Sequence, residues 1–96
     1  MDTDTGQKRS EVLKREGGKL LKVSVWSTGG TIKKVKISGD FFIHPEEIIE
    51  NLEGRLSGQP VALARETVSE ELTKKGVKAI GFNLEDLISM IERCAK

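Results

Sequence analysis

The chain has 96 residues and a formal charge of +1, from 16 Lys/Arg against 15 Asp/Glu. That length holds one small domain and excludes a typical Rossmann domain or TIM barrel, and the balanced charge argues against a dedicated nucleic-acid binder. One Cys (Cys94) and one His (His44) exclude a disulfide framework or a Cys/His zinc cluster built within one chain, and disfavour a Cys–His or Ser–His catalytic device.

Residues 1–18 carry Val12 and Leu13 as their large aliphatic side chains and close on Gly17-Gly18. They read as a flexible N-terminal arm, with a helical turn over Ser10–Glu16 as its one candidate element. Residues 19–96 read as a single domain. In KLLKVSVW, Leu21, Val23 and Val25 alternate with Lys22, Ser24 and Trp26, the period of a half-buried strand. Ser27-Thr28-Gly29-Gly30 supplies a hairpin turn, and TIKKVKIS alternates again, with Val35 and Ile37 opposite Lys34 and Lys36. Gly39 ends this second strand.

A helix is expected from His44-Pro45-Glu46-Glu47, where proline suits the first turn and acids complement the macrodipole. Ile48, Ile49, Leu52 and Leu56 follow at helical spacing, and Gly58 is the stop. A second helix runs to Lys75 from either Val61 or Thr67. Its apolar stripe, Val68 and Leu72, is thin, and Gly76 caps it. Val77–Phe82 is a short extended stretch or a connector. The last helix is the best signalled: Asn83 is an N-cap, Asp86 stands in capping-box position, and Phe82 is placed to staple onto Leu87. Leu84, Leu87, Ile88, Ile91 and Ala95 form its stripe. The fold class is therefore α+β: an antiparallel sheet of two to three strands covered on one face by two to three helices. Phe41–Ile43 and Val77–Ile80 are the places for a third strand.

The apolar runs are far shorter than the roughly twenty residues a membrane helix needs, and the first residues are polar. With a lone thiol and no export signal, a reducing cytoplasm is the expected compartment, with no membrane partner.

Gly29-Gly30-Thr31 matches a fragment of a phosphate loop, but the glycines lie between two strands, where a hairpin turn is the expectation. Lys33, Lys34 and Lys36 form either an electropositive stripe or a solvated strand face. Trp26 is either an exposed anchor or a packed edge residue. Cys94 lies off the stripe of the last helix or at its margin, with Arg93 and Lys96 as its nearby cations. His44 as a general base would need a bonded hydroxyl, and Ser38 is the nearest in sequence. The densest signal is Ile37-Ser38-Gly39-Asp40-Phe41-Phe42-Ile43-His44-Pro45. Adjacent Phe41 and Phe42 cannot both point inward on a regular strand, so one is core and the other is available to a partner.

Gly17-Gly18-Lys19-Leu20-Leu21, the hairpin, Ser38-Gly39-Asp40-Phe41-Phe42 and Pro45-Glu46-Glu47 resemble the C-terminal domain of lipoate–protein ligases. Leu52-Glu53, Leu56-Ser57-Gly58 and Ile80-Gly81 continue the likeness, which spans about residues 17–95. The resemblance implies a fold related to iron–sulfur scaffold proteins. It also implies a non-catalytic small subunit of a two-part ligase, whose large subunit carries the catalytic lysine and forms lipoyl-adenylate. ATP, Mg and lipoate would be used by the complex, with no cofactor bound by this chain. The implied partners are that large subunit and, indirectly, lipoyl-acceptor domains of 2-oxoacid dehydrogenases or the glycine cleavage H protein. Gly39, Asp40, Phe41, Phe42, His44 and Pro45 are the residues expected to face the partner or its active site. Two other readings stand beside this one. An iron–sulfur scaffold or sulfur acceptor would need usable thiolates. A nucleic-acid module would use Lys22, Lys33, Lys34, Lys36 and Trp26.

Overall fold

The structure, a computed structural model, describes residues 7–14 and 20–95. Strands β1 (Gln7–Lys14), β2 (Leu20–Thr28) and β3 (Thr31–Gly39) form one antiparallel sheet in that order. Strands β4 (Phe42–His44) and β5 (Lys78–Ile80) pair with each other as a separate two-stranded ribbon. Helices α1 (Glu47–Leu56), α2 (Ala64–Leu72) and α3 (Leu84–Cys94) complete the α+β fold, with a 3-10 turn at Val61–Leu63 leading into α2.

Alternation in β2 and β3 decides the core. Leu21, Val23, Val25, Val35 and Ile37 turn their side chains to one face, which α1 and α3 cover, and α2 packs against both helices. Leu52 and Leu56 of α1, with Leu87, Ile88, Met90 and Ile91 of α3, fill the space beneath. Helical periodicity thus meets strand periodicity across one apolar layer. Asn83 caps α3 as expected, its Oδ1 accepting the Glu85 N–H at 2.8 Å. Helix α1 starts at Glu47, so Pro45 precedes the helix rather than opening it; its carbonyl accepts the Ile48 N–H at 3.1 Å.

Gly29 and Gly30 make the two-residue turn between β2 and β3, both with positive φ, as a type I′ hairpin requires. The register slips between Trp26 and Ser27, so that Trp26 pairs with Lys34 but Ser27 pairs with Ile32. Lys33 is the extra residue of this bulge. It allows Ile32 and Val35, three positions apart, both to point into the core. The outer edge of β3 is closed too. Glu53 of α1 accepts the Ile37 N–H at 2.7 Å, and Ile32 exchanges backbone bonds with Gly58 and Gln59.

The N-terminal region departs from expectation. Gln7–Lys14 lies inside the stretch read as a flexible arm, yet it is a strand paired along its length with β2. Ser10–Lys14 is extended, not a helical turn; the rest of the arm, 1–6 and 15–18, lies outside the described residues. Pairing satisfies the β2-facing backbone groups of a segment that has little apolar surface of its own. Two side-chain ties add to it. Ser10 and Ser24 hydroxyls lie 2.8 Å apart, and Arg93 of α3 grips Glu11 with two bonds of 2.8 and 2.7 Å. That guanidinium holds the Glu11 carboxyl below its ordinary range. The α2 helix begins at Ala64, between the two proposed starts, but ends at Leu72 with Thr73 as its C-cap, short of the expected Lys75 and Gly76, and Val77–Phe82 contains β5.

Candidate functional site

The segment from Gly39 to Pro45 carries the chain from the sheet to the ribbon and on to α1. Gly39 has φ +146°, and a Cβ there would strike the Leu20 carbonyl oxygen. The Asp40 N–H then donates to that same oxygen at 2.7 Å. This close approach turns the chain out of the sheet, which only a residue without a side chain permits. Opposite, Gly81 with φ +106° would bring a Cβ to 3.0 Å from the Phe41 Cα and 3.1 Å from the Asp40 oxygen. Two glycines, from distant parts of the sequence, thus let the segment at the entry to the ribbon pass close to β2 on one side and to Gly81 on the other.

The adjacent phenylalanines divide as their alternation demands. Phe41 packs against the core, edge-on to Phe82 with ring centroids 5.2 Å apart. Phe42 points outward and is 55% exposed. Its cross-strand partner Ile80 is 61% exposed, so the two make an apolar pair in solvent. Ile43 faces the other way and is buried. His44 pairs with Lys78 on the same outer side as Phe42 and Ile80, because residues two apart on a strand share a face. The outer face of the ribbon is therefore a compact surface: an aromatic–aliphatic pair beside an imidazole and an ammonium.

Of the six residues singled out from sequence, Phe42 and His44 lie on this face. Asp40 is exposed at the turn beside it. Phe41, Gly39 and Pro45 build it from behind: as a core anchor, a close backbone approach and the exit to α1. Ile80 and Lys78 were not among the site candidates. The motif Ile80-Gly81 marked the segment, but nothing local shows that it pairs with Phe42.

Among the described residues, the remaining chemistry-bearing side chains form no reactive centre. No described hydroxyl, that of Ser38 included, hydrogen-bonds His44. Cys94 is not at the margin of its helix stripe but 2% exposed within the core, its thiol against the Val23 carbonyl at 4.0 Å. Burial pushes that thiol upward, away from the thiolate a sulfur acceptor or cluster ligand needs. Among the described residues no three His, Cys, Asp or Glu side chains are grouped to hold a metal ion, and no helix is long and apolar enough to cross a membrane. The Gly29–Gly30 turn borders a cleft with Gln7, Ser27, Thr28 and Ala95, and none of these described residues brings a charged side chain to it.

Buried charge elsewhere is structural. Glu71 of α2 is 2% exposed and accepts from Arg55 at 2.9 Å and Lys74 at 3.1 Å, while Arg55 also reaches Glu70 at 2.8 Å. The Arg55 hydrogen bond, aided by Lys74, holds the Glu71 carboxyl below its ordinary range against the opposing effect of burial.

No family model matches this chain. It is similar to lipoate-protein ligase A subunit 2 of Thermoplasma acidophilum, with 33% identity over 72 residues, covering 75% of this chain and 76% of that protein. Its fold matches a chain from the structural analysis of an archaeal lipoylation system, a bi-partite lipoate protein ligase and its E2 lipoyl domain from the same organism. There the TM-score is 0.77 with 30% identity, over 88% of this chain and 94% of the other.

Proposed function

Because the chain belongs to the family of lipoate-protein ligase A subunit 2, we propose that it acts as the accessory subunit of a two-part lipoate–protein ligase, required with a large catalytic subunit for ATP-dependent formation of lipoyl-adenylate. The observation that carries the reading from family to site is the exposed Phe42–Ile80 pair on the ribbon. Apolar side chains held out in water are what a protein interface buries. Full burial of one such side chain contributes about 1.5–3 kcal/mol.

In this reading the outer face of the ribbon, with Asp40 at its entry, seats against the catalytic subunit near its nucleotide site. ATP, Mg and lipoate are used by the complex, and this chain's part is to cover the site. A mixed anhydride is lost to hydrolysis wherever water reaches it, so a covering subunit protects the intermediate until an acceptor lysine takes the lipoyl group. Binding of the subunit also selects the ordered form of loops on the catalytic chain. The acceptors, lipoyl domains of 2-oxoacid dehydrogenases or the H protein, meet the complex only after that step. The working compartment is the cytoplasm.

The test is adenylate formation by the catalytic subunit with ATP and lipoate, with and without this chain. Adenylate is expected to accumulate only when both are present. Equal formation without this chain would refute the accessory role.

A further inference from the structure

The face of the sheet turned away from the helices has a composition unlike the rest of the surface. Its cross-strand rows are Val12–Lys22–Ser38, Ser10–Ser24–Lys36 and Lys8–Trp26–Lys34, with Lys14 beyond them. Five lysines thus project from three strands. The one carboxylate within those strands, Glu11, lies on the opposite face, bound to Arg93. Each helix, by contrast, carries three carboxylates. A net charge of +1 therefore conceals a polarised molecule, basic on the open sheet and acidic on the helices.

Trp26 decides between the polyanions this face could take. Lys8 on β1 and Lys34 on β3 flank the indole, their ammonium groups 5.2 and 5.0 Å from the ring centroid. Both cations use the ring's π-surface, so the ring is not a free platform for stacking a base, as single-strand readers require. What remains is a flat array of point charges over small serines, suited to a carboxylate-rich protein surface.

The position of this array separates it from the ribbon. Along β2, Trp26 stands five residues from Leu21, the partner of Gly39. At about 3.3 Å per residue the Lys8–Trp26–Lys34 row lies roughly 16 Å from the exit toward the ribbon. The chemistry differs as well. Apolar pairs sustain lasting contacts, whereas solvated lysines raise encounter rates without slowing departure. The partner that must arrive and leave in every catalytic cycle is the acceptor protein.

We propose that the lysine face of the sheet steers a carboxylate-rich surface of the lipoyl-acceptor protein onto the assembled ligase. The proposal rests on the accessory-subunit reading above.

The experiment uses the full two-subunit complex with ATP, lipoate and an apo acceptor protein. Lys34→Glu/Lys36→Glu places two reversed charges at exposed positions, and Lys34→Gln/Lys36→Gln is the milder companion; the melting temperature of each is recorded. The acceptor KM is expected to rise about tenfold with the reversal and less with the neutral pair, while adenylate formation stays unchanged. The difference should vanish near 1 M salt, where the screening length falls to about 3 Å. An unchanged acceptor KM in both folded variants overturns the proposal. So does lost subunit association or adenylate formation, which would assign the face to the catalytic subunit, or self-association of the free chain that the same reversal abolishes. Salt-sensitive binding of the free chain to DNA or RNA, removed by the reversal while the acceptor KM is unmoved, would assign it to nucleic acid. If the wild-type chain itself fails to support adenylate formation, the accessory reading fails instead.

Discussion

The molecule contains two antiparallel assemblies of opposite character. The β1–β3 sheet turns Val23, Val25, Val35 and Ile37 inward and seals them beneath α1 and α3. The β4–β5 ribbon, three residues to a strand, buries Ile43 but leaves Phe42 and Ile80 in water. A ribbon so short has little intrinsic stability. It is held by the close approaches at Gly39 and Gly81 and by Phe41 against Phe82. Apolar area in the sheet stabilises the fold, whereas Phe42 and Ile80 on the ribbon leave theirs in water. The same residue types thus do different work according to whether an element has a layer over it.

That contrast is open to direct attack. Leu52→Ala removes a fully buried side chain from the layer under the sheet and should cost about 2–5 kcal/mol of stability. In a domain of this size each kcal/mol corresponds to about 4–8 °C of Tm, so a thermal melt reads it easily. Phe42→Ser/Ile80→Ser should do the reverse. The melt should move little, because both side chains are already exposed, while affinity for the catalytic subunit, measured by calorimetric titration, should drop at least tenfold. A large loss of stability with intact association would erase the distinction between the two assemblies. Gly39→Ala strikes the junction between them. Placing a Cβ against the Leu20 carbonyl at positive φ should cost about 1–3 kcal/mol, and unchanged stability would show that the close approach relaxes freely.

The smallest expected effect sharpens the helical side of the comparison. Glu71 joins α2 to α1 through Arg55, and its carboxyl sits below the ordinary value of 4.5. A depressed folded-state value contributes stability that is present above pH 4.5 and is lost as pH falls through the lower folded-state value. Denaturant titrations at descending pH should therefore show a steeper acid loss in the wild type than in Glu71→Gln. Parallel curves would remove Glu71 from the account.

Much of this architecture is visible in the amino-acid pattern, for identifiable reasons. The β2–β3 hairpin announces itself through alternation around Gly29-Gly30, and α3 through Asn83 and its stripe. The strand β1 does not, because Lys8, Ser10 and Lys14 alternate with Gln7, Arg9 and Glu11, polar on both faces. Its order comes from pairing with β2 and from Arg93, far away in sequence. Ile32 escapes a period-two reading because the bulge at Lys33 shifts the phase. At the candidate site, the division of Phe41 from Phe42 follows from strand geometry, but which one faces out depends on Phe82 and Ile80. Local periodicity carries no record of such distant pairings. The lysine face is legible only in part: Lys22, Lys34 and Lys36 stand out along their strands, while Lys8 and Lys14 join them once β1 is seen to be a strand.

The Arg93–Glu11 tie spans 82 positions, and it fastens the last helix to the first strand. On a ribosome this matters for timing. Until α3 has been made, Val23 and Val25 have no cover from Leu87, Ile88 and Ile91, and the β2 side of the hairpin stays bare even where α1 already lies on β3. Folding here is a closing act rather than a running one, set by contacts of long sequence separation. A nascent chain without α3 exposes apolar surface that the finished fold buries, and such surface is prone to aggregate.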